Sequence, residues 1–305
     1  MILCLCPSPA IDVTYELTGL EVGGANRVRR VTSRPGGKAV NVARVLTTIG
    51  AHATVLAPVG GGTGEEFRTE LSARDIPVES VHSGLSTRRT VTVVDSRDGQ
   101  ATVLNEPATV DCWDAVLDRF AALLPAAEAV VISGSLPLEA PVDTLAGLAR
   151  AARHAGRPVI VDTSGPALAE SLAGQPTVIK PNAAELAELS GQTDVVTAAN
   201  ALVARYGVAV VASLGPDGLV AVDTAGGWRA RPARALVGNP TGAGDALVAG
   251  LARGLARGER LPDLLGDGVA LSAAAVVAPY AGDIDLAEVE RQRAGVLIER
   301  LETLR

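Results

Sequence analysis

Short apolar runs rich in β-branched residues return along the whole chain, and almost every one is followed by a stretch with helical spacing. The runs fall at 2–6, 53–57, 129–133, 159–162, 177–180, 208–213 and 219–222. Helical patterns cover about 38–49, 64–74, 111–124, 142–155, 183–190, 197–206, 243–257, 263–277 and 285–304. In the first of these, Val42, Val45, Leu46 and Ile49 repeat at i, i+3, i+4 and i+7, a stripe that a helix puts on one side. A strand that is apolar throughout must be covered on both faces, and intervening helices supply the crossovers that parallel pairing needs. The chain is therefore expected to be an α/β protein, three-layered as α/β/α, with a mostly parallel central sheet. Ligands of such sheets gather at the carboxyl ends of the strands.

Two segments, about 12–34 and 87–105, break the alternation. Both read as extended, and 89–94 with 101–105 reads as a hairpin across Ser96-Arg97-Asp98-Gly99. With no helix of their own, they are expected to form a small β lid over one edge of the main sheet. No low-complexity linker or internal repeat is visible, so residues 1–305 are expected to form a single domain into which the lid strands are inserted.

Composition removes several classes. The net charge of −7 leaves no global basic field for nucleic acid or anionic lipid. Two Phe, three Tyr and two Trp cannot make a base-stacking platform. The three cysteines are too few for a disulfide scaffold and suit a reducing compartment. Cys4 and Cys6, two apart in an apolar run, read as small buried side chains on one strand face. The N-terminal run meets Pro7 with no basic stretch before it, unlike a signal peptide, and no uncharged apolar stretch of membrane length occurs. A cytoplasmic protein is expected. His52, His82 and His154 are scattered singly, without zinc-ligand spacing. Of the 27 Lys and Arg residues only two are lysine, Lys38 and Lys180, and both sit inside Gly- or Pro-marked motifs.

Those motifs carry the candidate chemistry. In Asn239-Pro240-Thr241-Gly242-Ala243-Gly244-Asp245-Ala246, two glycines lead into an apolar helix. Bare amides at a helix start bind anions, and an aspartate there can take a proton from an attacking hydroxyl. The same pattern is also an ordinary helix start, with Thr241 as cap and Asp245 complementing the dipole. In Pro35-Gly36-Gly37-Lys38-Ala39-Val40-Asn41, the Asn41 amide shares a face with the open Gly37 backbone and can bind vicinal hydroxyls. A plain Gly-rich turn before a core helix fits equally. In Ile179-Lys180-Pro181-Asn182-Ala183-Ala184-Glu185, Asn182 and Glu185 have the spacing of a capping box. Alternatively Asn182 meets phosphate and Glu185 orients a Mg²⁺ water shell. Asp12 is placed at the carboxyl end of the first strand, where it could accept sugar hydroxyls. Ser133-Gly134-Ser135-Leu136-Pro137 follows another strand. Ser213-Leu214-Gly215-Pro216-Asp217-Gly218 is a turn between strands or a backbone platform beside a nucleotide. Gly60-Gly61-Gly62-Thr63-Gly64 is expected to shape a turn before a helix.

Together and in this order, the motifs resemble the ribokinase-like (PfkB) family of sugar kinases, from Asp12 to beyond Asp245. Pro9-Ala10-Ile11-Asp12, Asn41-Val42-Ala43-Arg44, Ser133-Gly134-Ser135-Leu136-Pro137, Asn26-Arg27 and Thr87-Arg88 resemble its sugar-phosphate branch. That branch acts on fructose 1-phosphate, tagatose 6-phosphate or fructose 6-phosphate. The resemblance implies that Asp245 is the general base and that Gly242, Ala243 and Gly244 form the anion hole. It implies that Asp12, Gly37 and Asn41 hold sugar hydroxyls, and that Arg27, Lys38 and Arg88 meet the sugar's own phosphate with Ser135 nearby. Lys180 and Asn182 would serve ATP phosphates, Glu185 the Mg²⁺, and Ser213, Gly215 and Gly218 the nucleotide site, with small residues near 270–274 flanking adenine. The implied cofactors are ATP and Mg²⁺. A homodimer through the lid is expected, because lid edges are otherwise unpaired. Two departures stand out. Ala39 replaces a usual glycine, and its methyl could narrow the approach to the sugar. Leu138-Glu139 replaces a usual Pro-Gly, which bears on the hexose.

The expected activity is ATP-dependent phosphorylation of a ketohexose phosphate, fructose 1-phosphate foremost, to fructose 1,6-bisphosphate. Tagatose 6-phosphate and fructose 6-phosphate are the alternatives. A kinase of an unphosphorylated sugar or nucleoside is opposed by Arg27 and Arg88. A non-catalytic sugar-phosphate sensor is opposed by the intact Asp245 and its glycines. A dinucleotide oxidoreductase lacks its Gly-x-Gly-x-x-Gly turn.

Overall fold

A computed structural model describes residues 1–301. In chain order the strands are β1 (Ile2–Leu5), β2 (Ala10–Leu17), β3 (Arg30–Gly36), β4 (Ala53–Val59), β5 (Val78–His82), β6 (Arg88–Asp95) and β7 (Ala101–Asn105). They continue as β8 (Ala129–Ser133), β9 (Val159–Asp162), β10 (Val178–Ile179), β11 (Ala209–Ser213), β12 (Leu219–Asp223), β13 (Gly226–Arg231) and β14 (Leu297–Arg300).

The central sheet has ten strands in the order β14-β13-β12-β11-β10-β9-β8-β1-β4-β5. It is parallel from β5 through β11 and antiparallel across β12, β13 and β14. β1 shows why three layers form. Cys4 and Cys6 face one apolar cluster with helices Lys38–Thr48, Ala243–Ala256 and Leu261–Val276. Leu3 and Leu5 face the other, with Phe120, Leu145, Leu186 and Leu202. Both faces of the strand are thus dry, as a central parallel strand requires, and the α/β reading holds. The two cysteines are buried, unpaired side chains of one face, and burial lifts both thiols far above the usual range.

A second sheet has four strands in the order β3-β2-β6-β7. It joins the two segments expected to be extended, and the hairpin reading is correct: β6 pairs antiparallel with β7, with Val94 opposite Ala101. The Asp95 carboxylate fastens that turn to the end of β2, accepting from the Gly19 amide at 2.9 Å and the Arg97 amide at 3.0 Å. Asp12 is not the end of the first strand. β1 stops at Leu5, and Asp12 lies within β2 of the small sheet, opposite Arg34 and Thr90.

Other expectations change. The pattern at 285–304 is a helix only over Leu286–Arg293. Gly295 then meets Ala233 so closely that an added Cβ would stand 2.8 Å from the Ala233 side chain, and the chain turns into β14; residues 302–304 of that reading lie outside the described ones. β5, β13, β14 and the helix Gly165–Ser171 carry no clear apolar period and are not among the expected elements. The glycine run after Gly60 is the first turn of helix Gly61–Ser72, not a turn before it. Among the described residues no helix is long and apolar enough to cross a membrane.

Candidate active site

Two uncapped helix starts converge. Gly37, with φ 108°, begins helix Lys38–Thr48 without any side-chain cap; a Cβ there would lie 2.7 Å from the Cys6 sulfur. Gly242, with φ 88°, begins helix Ala243–Ala256, also without a side-chain cap; a Cβ there would meet the Ala281 backbone at 2.8 Å. Both conformations favour glycine, and both positions exclude a side chain by contact. Thr241 therefore does not cap the second helix. The Ala243 amide is already given to the Pro240 carbonyl at 3.1 Å, and among the described residues the Gly244 and Asp245 amides have no carbonyl partner. Free amides with the positive end of the helix dipole behind them favour an anion.

The side chains of the two helices meet. Asn41 Nδ2 donates to Asp245 Oδ2 at 2.8 Å, and both residues are buried. Burial, then the nearby Asp162 carboxylate, push the Asp245 carboxyl up to about 7, although Asn41, Lys38 and Lys180 pull it back. An aspartate so tuned can accept a proton near neutral pH. The two lysines of the chain converge on Asp162, at the carboxyl end of β9. Lys38 Nζ and Lys180 Nζ each lie 3.3 Å from its Oδ1, and Ser133 Oγ donates to its Oδ2 at 3.1 Å. Burial alone would lower Lys38, but Asp162, Asp245 and Glu185 outweigh it and hold the ammonium above its ordinary value. Lys180 is buried, whereas the Lys38 side chain is 43% exposed. One cation faces inward to Gly244 at the start of helix Ala243–Ala256, and the other is half-exposed.

Beside Gly244 lies a cavity of about 790 Å³. Asn182, Ser213, Gly215 and Gly218 line it together with Ala243 and Gly244, so four of the five residues expected at the nucleotide share one hollow with the helix start, and Lys180 is not in its lining. The helix wall of the cavity is Val269, Ser272, Ala273 and Val276. Ala270 and Ala274, which fall within the stretch expected to flank adenine, are instead fully buried in the core. Asn182 and Glu185 do form a capping box: Glu185 N donates to Asn182 Oδ1, and Asn182 N to Glu185 Oε2, both at 2.9 Å. This engages one Glu185 oxygen. Among the described residues no group of three or more His, Cys, Asp or Glu side chains is placed to hold a metal ion directly.

On the other side, the Asp12 carboxylate rests against Gly36, where an added Cβ would be 2.1 Å from Oδ2. Burial raises its pKa, opposed chiefly by Arg88 and Arg44. Arg88 is half-buried and fixed: its Nε donates to Ser8 Oγ at 3.1 Å and its Nη1 to Thr90 Oγ1 and the Glu106 carbonyl, each at 3.2 Å. Thus Asp12, Arg88, Gly37, Asn41 and Asp245 run as one contiguous path. Arg27 is not brought into it; it lies exposed between β2 and β3, with no ion-pair partner among the described residues. Ser135 is exposed just past β8. Ala39 points into the core, fully buried, so its methyl does not narrow the opening.

Sequence reasoning missed Asp162 and Ser133. The signal was present: a carboxylate ending a wholly apolar strand is placed where ligands of parallel sheets bind. It also missed the brace behind Gly242. Arg34 pairs with Asp283 through two hydrogen bonds, at 2.9 and 2.7 Å, and lies over the Tyr280 ring. Arg44 donates to the Ala281 carbonyl at 3.2 Å and to the Pro35 carbonyl at 3.0 Å.

An uncapped helix start carrying a buried, tuned aspartate, with two lysines and a cavity beside it, defines a phosphotransferase site. Residues 7–287 match the pfkB family carbohydrate kinase model. A 1-phosphofructokinase from Xanthomonas campestris is 36% identical over 260 residues, covering 81% of this chain and 82% of that protein. A mutant of phosphofructokinase-2 from Escherichia coli superposes with a TM-score of 0.90 at 30% identity, covering 96% of this chain and 98% of that one. The same enzyme in complex with fructose-6-phosphate gives a TM-score of 0.86 at 30% identity, with the same coverage. The chain belongs to the pfkB family of carbohydrate kinases, on its sugar-phosphate branch.

Proposed function

We propose that the protein transfers the terminal phosphoryl group of ATP to a ketohexose phosphate, converting fructose 1-phosphate to fructose 1,6-bisphosphate. The observation that carries this reading is the path from Arg88 and Asp12 through Asn41 to Asp245, ending at the cavity beside Gly244. Arg88 keeps Nη2 for the phosphate that the sugar already bears, and Lys38 adds charge there; a guanidinium offers a phosphate paired donors. Asp12 and the Gly37 backbone hold sugar hydroxyls, and Asn41 shares its amide between sugar and Asp245. Ser135 is assigned to the same phosphate.

Asp245 accepts the proton of the attacking hydroxyl as the new oxygen–phosphorus bond forms and the bond to ADP breaks. The glycine-marked start at 242–244 and Lys180 receive the charge of the moving phosphoryl group. Asn182, Ser213, Gly215 and Gly218 border the nucleotide. The donor set suits Mg²⁺, which takes few protein carboxylates and keeps its waters: Glu185, near enough to Lys38 to act on its charge, would hold the ion through that shell, and the ion would neutralise ATP phosphates. The four-stranded sheet acts as the lid of a single kinase unit, and two copies pair through it.

The likeness to the Escherichia coli enzyme in complex with fructose-6-phosphate supports fructose 6-phosphate as the second substrate to consider. An assay of ADP release across fructose 1-phosphate, fructose 6-phosphate, tagatose 6-phosphate, fructose and a nucleoside decides among them. The highest kcat/KM is expected on fructose 1-phosphate. Faster turnover of plain fructose or the nucleoside would overturn the reading.

A further inference from the structure

Helix Leu286–Arg293 is odd for a surface helix. Its buried residues are Glu288, Val289 and Gln292, so the stripe that normally buries apolar side chains is mostly polar. A buried carboxylate is costly unless fully partnered. Glu288, whose side chain is 2% exposed, is fully partnered. Its Oε2 accepts from Arg234 Nη2 at 2.7 Å and Arg291 Nε at 2.7 Å; its Oε1 accepts from Gln292 Nε2 at 2.8 Å and Arg234 Nε at 3.3 Å. Gln292 completes the grip on the backbone. Its Oε1 accepts from the Ala233 amide at 2.9 Å, and its Nε2 donates to the Arg234 carbonyl at 3.3 Å.

The segment so gripped is a wall of the large cavity. Pro232, Arg234, Ala235, Leu236, Val237 and Gly238 all line it. Its far end is tied separately: Asn239 N donates to the Val276 carbonyl at 2.8 Å, and Gly238 packs on that carbonyl too closely for any side chain. Between the two ties Leu236 is half-buried, while Ala235 and Val237 are exposed, Val237 almost completely. Among the described residues, the side-chain hydrogen bonds that hold this wall before its far tie are those of Glu288 and Gln292 to Ala233 and Arg234.

We infer that Glu288 and Gln292 are positioning residues for the nucleotide, acting through the Pro232–Gly238 wall they hold in place. The inference rests on the reading of this cavity as the ATP site. Neither residue touches the cavity, Asp245 or the lid, so the effect belongs to nucleotide affinity alone.

The test is calorimetric titration of the full-length protein with MgATP, and separately with fructose 1-phosphate. In Glu288→Gln, MgATP affinity is expected to fall about tenfold, the size of losing a charge-assisted hydrogen bond, with fructose 1-phosphate affinity unchanged. Gln292→Met, which leaves the buried carboxylate both of its arginines, should show the same selective loss. The double variant should lose no more than the larger single effect, because both cut one connection. Unchanged MgATP affinity in both single variants, equal losses for both ligands, or fully additive losses would each overturn the inference. If the unsubstituted protein binds fructose 1-phosphate but not MgATP, the nucleotide reading of the cavity fails, and this inference with it.

Discussion

Asp245, the proposed base, is buried at the start of its helix. Burial raises its carboxyl to about 7, so the rate is expected to rise with pH through neutrality with unit slope and then level off. Stability runs the other way. A carboxyl whose folded pKa is raised binds a proton more tightly folded than unfolded, so its contribution is lost as pH climbs from the ordinary carboxylate range through about 7. Thermal denaturation at pH 5 and pH 8 should show Asp245→Asn gaining relative to the parent at the higher pH. Asp162 sets this balance. Asp162→Asn removes a repelling charge and frees two ammonium groups, so the acid limb of the pH–rate profile should move to lower pH. It also leaves Lys180 buried without its anion, which should cost about 3 kcal/mol in chemical denaturation. An unmoved acid limb would separate Asp162 from the tuning of Asp245. Lys38, Lys180 and Asp245 were each legible in the chain from their motifs. That all three surround one carboxylate was not, because the contact joins β9 to three distant segments. Arg27 shows the converse: its motif was legible, yet its place outside the path depends on how the β2–β3 connection runs.

The helix starts at Gly37 and Gly242 are built to be left open. A left-handed or similarly strained glycine removes the capping side chain, and crowding by Cys6 and Ala281 enforces it. Gly242→Ala should therefore lower kcat by at least about tenfold, through displaced amides, beyond any loss of stability. Gly207→Ala is the control: φ is 69°, but a Cβ there meets open space, so only stability should fall. Equal kcat in the two variants would show that the Gly242 start holds nothing. At this scale legibility followed burial. β1, β8 and β9 are wholly buried and were plain as apolar runs. β14 is exposed at every residue, and β5 and β13 are only partly covered, so neither hydrophobic alternation nor a continuous run marks them.

Across the whole molecule, the small sheet is the least self-sufficient part. β7 is exposed along its length, Val103 and Leu104 are 52% and 58% exposed, and Val31 on β3 is 60% exposed. Two open strand edges carrying apolar side chains invite a second copy. Sedimentation at micromolar concentration should find a dimer, and Val103→Lys with Leu104→Lys should give a monomer; a monomeric parent protein would contradict pairing through this sheet. The larger claim is that the sugar-phosphate side, the nucleotide cavity and Asp245 form one working cleft. Its most direct measurement is the turnover of Asp245→Asn with saturating ATP and fructose 1-phosphate. The account predicts that kcat falls about 10²–10⁴-fold while both substrates still bind; near-normal turnover would contradict it.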